Sequence, residues 1–183
     1  MGFKYILLLF CFVSLNLVTA QVTLEQHKDV GFEVQQYPTG FLLGIKAEFG
    51  LKPHHAIEFR IGYNSLNHKD FGVQDSEIGG GFGGSLGYRY YFNPNHQKLF
   101  CGVRSDIWFN KIDWINIENA SEGETSIIVF QPTVILGYSF ILHDHFVFTP
   151  TLAFGAEINI KTEGEPVGEG GILLWGVNFL YRF

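Results

Sequence analysis

The feature that most constrains this chain is an alternation of apolar and polar residues, which recurs in eight segments after residue 20. In the last segment, residues 171–183, the odd positions from Leu173 to Phe183 are apolar or aromatic, whereas the even positions include Asn178 and Arg182. A period of two residues is the pattern of a β-strand whose two faces meet different surroundings. The other segments lie at 30–34, 41–49, 57–63, 82–92, 99–109, 128–140 and 146–158. No apolar run in this part of the chain approaches the ~20 residues of a membrane-spanning helix, so the sequence predicts an all-β fold.

The chemistry of the two strand faces distinguishes a soluble sheet from a membrane barrel, because antiparallel sheets in water also alternate. Across the eight segments the apolar face carries no Asp, Glu, Lys or Arg. The opposite face carries five acidic and five basic residues: Glu33, Lys46, Glu48, Glu58, Arg60, Arg89, Arg104, Asp106, Glu157 and Arg182. Charges inside a narrow eight-stranded barrel must be paired, so this balance predicts a charged, closed lumen and an apolar outer wall. Only 16% of the residues are charged, against roughly a quarter in soluble domains.

The connections between the segments indicate the same architecture. Tight turns at 52–55, 94–97 and 141–144 alternate with long polar stretches near 65–79, 111–125 and 161–170, and YPTG at 37–40 is a short exception. Short turns on one side, long loops on the other and an even strand number are typical of an outer-membrane β-barrel, with periplasmic turns and extracellular loops. We therefore expect one eight-stranded antiparallel transmembrane β-barrel over residues 30–183.

The N-terminus has the pattern of an export signal. Lys4 precedes an apolar run, and small residues end the segment at Ala20, as in a secretory signal peptide. The sequence thus predicts a signal peptide at 1–20, a short lead at 21–29 and export through the Sec pathway to the outer membrane of a Gram-negative cell. The formal net charge of −6 disfavours a nucleic-acid binder, which normally has a basic footprint.

Three stretches resemble a known family: the signal MGFKYILLLFCFVSLNLVTA, the segments LGYRYYFNP and LGYSF with aromatic strand ends, and the C-terminal WGVNFLYRF. They are similar to the small outer-membrane β-barrel family that includes OmpX and the transmembrane domain of OmpA, in the versions common in Bacteroidota. The resemblance implies an integral outer-membrane protein. It also implies that Tyr181 and Phe183 belong to the C-terminal signal by which the barrel-assembly machinery recognises its clients.

The long polar stretches carry the acidity of the chain. They hold Lys69, Asp70, Asp75 and Glu77; Lys111, Asp113, Glu118, Glu122 and Glu124; and Lys161, Glu163, Glu165 and Glu169. One hypothesis is that these carboxylates bind Ca²⁺ or Mg²⁺, which both prefer oxygen ligands, and so bridge the protein to lipopolysaccharide. The alternative is a solvated loop surface without a ligand.

Five histidines lie in or beside the short turns: His54, His55, His96, His143 and His145. If these turns share the periplasmic rim, their imidazoles could bind Zn²⁺, Cu²⁺ or Ni²⁺. The competing interpretation is that turns simply accept histidine, because no Cys or clustered carboxylate completes a site. No cofactor is predicted.

Pro132 and Pro150 fall inside the sixth and seventh segments, where proline removes a ladder hydrogen bond. They indicate either bulges or a lateral gap toward lipid, and a gap would resemble the lipid A palmitoyltransferase PagP. For such an enzyme the candidate catalytic residues are His68, Asp75 and Ser76, although all three share one loop. The favoured hypothesis is a non-enzymatic barrel whose acidic loops serve envelope integrity, adhesion or binding.

Overall fold

A computed structural model describes residues 27–69 and 73–183 of the 183-residue chain. The predicted signal peptide at 1–20 and the lead up to residue 26 lie outside the described residues. Eight β-strands follow in order: β1 (Lys28–Tyr37), β2 (Gly40–Lys52), β3 (His55–Lys69), β4 (Ser76–Tyr91), β5 (Lys98–Asn116), β6 (Ser121–Leu142), β7 (Phe146–Glu163) and β8 (Gly170–Arg182). Each strand pairs antiparallel with its chain neighbours, and β8 pairs with β1, so the sheet closes into a barrel. The predicted eight-stranded antiparallel barrel is confirmed.

The two ends of the barrel differ in their connections. The turn end carries the connections at 53–54, 92–97 and 143–145, together with the start of β1 and the end of β8. The loop end carries the connections at 38–39, 70–75, 117–120 and 164–169.

The outer wall of the barrel is apolar. Side chains that alternate outward include Phe32, Ile61, Val134 and Phe154, which are 59%, 68%, 61% and 66% exposed. On β6 this apolar belt runs from Ile128 to Phe140 without a charged residue. A wall of large exposed apolar side chains suits hydrocarbon, and a closed barrel leaves no strand edge unpaired within it.

Three connections at the loop end are shorter than the polar composition predicts, and the strands that flank them are correspondingly longer. The expected long loops near 65–79, 111–125 and 161–170 reduce to 70–75, 117–120 and 164–169. In the first two stretches the inward Leu66, Ile112 and Trp114 are apolar and buried in the lumen, and in the third β7 continues to Glu163 by pairing with residues 126–128 of β6. The antiparallel ladder therefore continues beyond the apolar belt, and five of the ten acidic residues of these stretches, Glu77, Asp113, Glu122, Glu124 and Glu163, lie on strands.

Side chains fill the lumen in two layers. Ion pairs occupy the layer toward the turn end, together with the apolar Ala56 and the rings of Tyr91 and Phe100. The layer toward the loop end is an apolar core that includes Leu42, Ile112, Val129, Leu174 and, from the connection 164–169, Val167. Between the layers, the Trp108 ring lies against Gly83, where a Cβ would come within 2.4 Å of the ring. Eight strands enclose a space about wide enough for side chains alone, and in this barrel side chains occupy it.

Candidate functional site

A network of buried ion pairs crosses the middle of the lumen and joins β1, β3 and β5. Arg60 lies at its centre, where Nη1 donates to Oε2 of Glu33 at 2.9 Å and Nη2 donates to Oδ1 of Asp106 at 2.7 Å. Arg104 donates through Nε to Asp106 at 3.2 Å and through Nη2 to the side-chain oxygen of Gln35 at 2.9 Å. All five side chains are at most 3% exposed, so the charges are neutralised by one another and not by solvent.

A second group of buried charges extends this network toward the turn end. Glu58 lies 2.6 Å from Nζ of Lys46 and 2.6 Å from Nε of Arg89. Arg89 also lies 2.8 Å from Glu48 through Nη1. Gly87 makes room for this group, because a Cβ there would lie 2.7 Å from Cγ of Glu58. Each carboxylate thus meets at least one cation, which offsets the cost of removing both from water.

The network joins strands of the wall across the lumen. Eight of the ten predicted lumen charges belong to it, and they come from β1, β2, β3, β4 and β5. Buried ion pairs of this kind fix the relative positions of the β-strands that carry them. Breaking a pair would leave a buried charge without a partner, which is energetically costly. The arrangement is therefore a cross-link between strands.

The other two predicted lumen charges lie elsewhere, and one charge was missed. Arg182 is paired with Asp29, with its Nε and Nη2 at 2.8 and 2.6 Å from the two carboxylate oxygens. Asp29 is 1% exposed and lies on β1, although the sequence analysis placed it in the lead. The two-residue alternation predicts that Asp29 points inward, because it lies four residues before the inward Glu33. Glu157 lies apart from the network, at the loop end.

Histidines at the turn end have a local role in the turns. His54, His96 and His143 adopt φ angles of 74°, 50° and 50°, the left-handed region that histidine enters more readily than most side chains. His54 also donates through Nδ1 to the carbonyl of Tyr91 at 2.8 Å. His145 donates in the same way to the carbonyl of Arg182 at 3.1 Å. Backbone conformation therefore explains why short turns of this chain are rich in histidine.

The five turn histidines do not converge on one point. Of the residues that the structure describes, one group of three potential metal ligands lies within 4.8 Å, namely His27, Asp29 and Glu48. Both of its carboxylates already face arginines. His96 lies beside this group, with its ring centroid 4.2 Å from that of His27. Burial, and next the charge of His27, lower the pKa of His96, so neutral imidazole is favoured at this end of the lumen.

At the loop end, the barrel wall separates the candidate catalytic residues. His68 points into the lumen, where Nδ1 lies 3.2 Å from Oε2 of Glu77. Ser76 is the next residue along the β3–β4 ladder, so its side chain points to the opposite face of the sheet. Asp75 accepts a hydrogen bond from the amide of Ile117 at 2.7 Å. The structure thus does not bring His68, Asp75 and Ser76 together.

Glu77 is buried, although the sequence analysis expected it on an acidic loop surface. It is 1% exposed because β4 begins at Ser76 and turns this residue inward. Its carboxylate also accepts hydrogen bonds from the amides of Val73, Gln74 and Gly168 at 2.9, 3.1 and 3.2 Å. Burial raises the pKa of Glu77, but the hydrogen bonds from His68 and the amides outweigh it, so the net pKa lies below its usual range.

Pro132 and Pro150 mark two interruptions of the β6–β7 ladder. Pairing of β6 with β7 omits residues 131–132 and residues 138–139, and it continues in the same register from Phe130 to Leu142. The register shift itself lies at Ile128/Val129. The prolines therefore lie in two short unpaired stretches of the β6–β7 ladder. The two strands remain paired between these stretches and on either side of them.

Aromatic side chains surround the turn end of the apolar belt, as in the interfacial girdles of membrane barrels. The predicted assembly-signal residues Tyr181 and Phe183 belong to this girdle and are 40% and 72% exposed. Their rings contact each other, with centroids 5.0 Å apart, and Tyr181 stacks on His145. Recognition of these residues by the assembly machinery stays a prediction.

The described residues contain no helix that is long and apolar enough to cross a membrane.

No family model matches the sequence, and no curated protein matches it. Solved structures that are similar in fold include the N-terminal β-barrel domain of Pseudomonas aeruginosa OprF, with 16% identity and a TM-score of 0.48 over 86% of this chain and 97% of that chain. Ail, the attachment invasion locus protein of Yersinia pestis, solved in complex with the heparin analogue sucrose octasulfate, has 13% identity and a TM-score of 0.48 over 87% of this chain and 100% of that chain. Neisserial surface protein A has 13% identity and a TM-score of 0.46 over 86% and 96%. The closed eight-stranded sheet, the apolar outer belt and the buried charges make this chain a small β-barrel of the outer-membrane type.

Proposed function

We propose that the protein is a non-enzymatic integral outer-membrane protein that stabilises the envelope, or binds or adheres to a partner, through an acidic surface at its loop end. The observation that carries the proposal is the continuation of strands beyond the apolar belt. After Phe109 the outward side of β5 changes to Lys111 and Asp113, whereas the inward side stays apolar at Ile112 and Trp114. The projecting strands therefore form a folded platform whose exterior combines charged side chains with the exposed Ile115, Ile117 and Ile160.

Acidic residues dominate this platform. Its exposed charged side chains among the described residues are Asp113, Glu118, Glu122, Glu124, Glu163, Glu165 and Glu169 against Lys111 and Lys161. Only Glu124 and Glu163 are paired with these lysines. Carboxylates left without a cation suit Ca²⁺ and Mg²⁺. We infer that such ions join the platform to the phosphates of lipopolysaccharide or to an acidic partner outside the cell.

Two observations support a role without catalysis. The wall separates His68 from Ser76, and side chains pack the middle of the lumen. In this proposal the turn end faces the periplasm and the loop end faces outside, the usual orientation of barrels with short turns on one side.

Orientation is tested by labelling cysteines in intact cells. In a Cys101→Ser background, Ser121→Cys at the loop end should react with a membrane-impermeant maleimide. The matched variant His143→Cys, exposed in a turn at the other end, should react only after the cells are lysed. Labelling of His143→Cys in intact cells would contradict the proposed orientation.

The role is tested in a deletion strain that carries variants of the gene. Asp113→Asn, Glu122→Gln and Glu124→Gln together remove three exposed carboxylates without changing side-chain size. We expect this triple variant to resemble the deletion in its uptake of a hydrophobic fluorescent dye or in cell adhesion. Asp144→Asn, an exposed acid at the turn end, is the control and should restore wild-type behaviour. A triple variant that restores both properties would refute the role of the acidic platform.

A further inference from the structure

The loop end contains a cavity of about 360 Å³ that none of the preceding roles uses. It lies where β8 continues beyond β1, since the last β1–β8 pair is Gln36 with Trp175 and β8 begins five residues earlier, at Gly170. The β1–β2 turn at 38–39 and the connection 164–169 complete its rim. The unequal strand lengths thus leave a notch in the wall through which a small molecule can enter from the side of the loops.

Two carboxylates and an imidazole line this cavity, beside the hydroxyls of Tyr37 and Thr39. His68, Glu157 and Glu169 line it, and no Lys or Arg does. Among the described residues, no cation or hydrogen-bond donor is paired with the carboxylate of Glu157. Glu169 accepts one hydrogen bond, from the amide of Asn159 at 2.8 Å. Two carboxylates therefore face a cavity that offers them no positive partner.

His68 is the second, independent observation. Its side chain is 9% exposed, and Nε2 is buried without a hydrogen-bond partner. Glu77, held as a carboxylate by its backbone donors, can only accept from Nδ1. Nδ1 therefore donates to Glu77, and Nε2 is the ring atom that remains for a ligand. In a neutral ring Nε2 is an acceptor, and a ligand with an N–H group would recover the free energy that a missing partner costs.

We propose that this cavity binds a small organic cation that carries a primary ammonium group. An ammonium group carries N–H donors and no acceptor, so it can pair with a single carboxylate, Glu157 or Glu169, without requiring the other acceptors to meet around one atom. The remaining lining, including Pro38, Ile172 and Leu173, is apolar and suits a methylene chain. The volume is at the lower end of the range for small-molecule pockets, so the ligand class is an aliphatic amine, either a free diamine or the side chain of a lysine.

A metal ion is a poorer match to the same cavity. Three ligand atoms within reach of one ion occur among the described residues only in the group of His27, Asp29 and Glu48 at the opposite end. The cavity at the loop end is roomy, and its acceptors are not gathered around one point.

Isothermal titration calorimetry of the folded barrel in detergent tests the proposal, with 1,5-diaminopentane as the probe. We expect saturable binding of one equivalent, weakened at least about tenfold by Glu157→Gln, because a hydrogen bond to a charged group is lost. Glu124→Gln removes the same charge from an exposed position outside the cavity and should bind as the wild type does. Nα-acetyl-lysine amide in the same assay distinguishes the two sources of the amine, and binding of either probe supports the site.

A second variant, which changes the shape of the cavity and not its charge, tests amine binding even if Glu157→Gln does not fold. Gly171 lines the cavity, and a Cβ built there meets no atom within 4 Å, so Gly171→Phe should leave every charge in place, add bulk at the edge of the cavity and weaken binding. The proposal is overturned by the absence of saturable heat, by equal binding in all variants, or by binding of Zn²⁺ but of neither amine. This measurement on purified protein does not depend on the proposed envelope role, so either proposal can fail alone.

Discussion

An arginine at Val134 should destabilise the barrel because it would place a charge at the centre of the apolar belt. Val134 is 61% exposed on the outer face of β6 and pairs with Phe154, which is 66% exposed. It lies midway between Ile128 and Phe140, the ends of the belt on this strand. An arginine there would have to lie in hydrocarbon or bend toward a distant interface.

The magnitude follows from the depth of the residue. A strand rises about 3.3 Å per residue and tilts by about 45°, so each residue changes depth by roughly 2.3 Å. The span from Ile128 to Phe140 then covers about 28 Å, close to the ~25 Å apolar band of membrane barrels. Val134→Arg should cost about 2–4 kcal/mol, the value for arginine at the midplane. Ser126→Arg, two residues beyond the belt, should cost about 0–1 kcal/mol.

Reversible denaturant unfolding in phospholipid vesicles, followed by tryptophan fluorescence, measures these free energies. Phe154→Arg has the same depth on the paired strand and should rank with Val134→Arg. If the wall faced water, an exposed substitution at either site would change stability by only about 0.5 kcal/mol. A cost near zero at Val134, or equal costs at Val134 and Ser126, would refute the assignment of this wall to lipid.

Three further predictions concern the lumen, the loop end and the turns. Glu58→Gln should lower the free energy of unfolding by about 3–5 kcal/mol, because the buried Lys46 and Arg89 lose their shared partner. The control Glu124→Gln, at an exposed position, should change this free energy by no more than about 1 kcal/mol. Denaturant unfolding measures both values. The pKa of Glu77 is lower in the folded state than its usual 4.5, so its contribution to stability is present above that value and lost as the pH falls through the folded pKa. Unfolding midpoints measured across this range should therefore fall less steeply in Glu77→Gln, and identical slopes would exclude the effect. His143→Gly should raise stability by up to about 1 kcal/mol and His143→Val should lower it, because only glycine adopts a φ of 50° without strain; the reverse order in thermal unfolding would contradict this.

Much of the wall could be predicted because the direction of a side chain in a strand depends only on its position along the chain. Alternation assigned Val134 to lipid and Arg60 to the lumen before any pairing was known. The same rule, applied further, would have extended β1 to Asp29 and β5 to Trp114. A stretch whose outward residues are polar resembles a loop in composition. Whether the ladder continues depends instead on the inward residues.

The candidate sites depended more strongly on tertiary structure. His68, Asp75 and Ser76 are close in sequence. His68 pairs with Glu77 and not with Ser76, so the side chains of His68 and Ser76 lie on opposite faces of the sheet. His68 meets Glu157 in one cavity although 88 residues of chain lie between them. Local sequence does not contain such relations, because they depend on the register between strands.

Sequence was sufficient to predict the number of strands, the lipid-facing side and a charged lumen, since each follows from a two-residue period and from composition, but Asp29 and Glu77 add two buried acids to the five acidic and five basic residues expected there. Tertiary structure alone decided which charges meet. Arg182 and Asp29 are paired because β8 closes onto β1, and a contact 153 residues apart along the chain depends on the register of every strand between. The notch at the loop end has the same origin, since it exists only because β8 extends past β1 once the ring is closed.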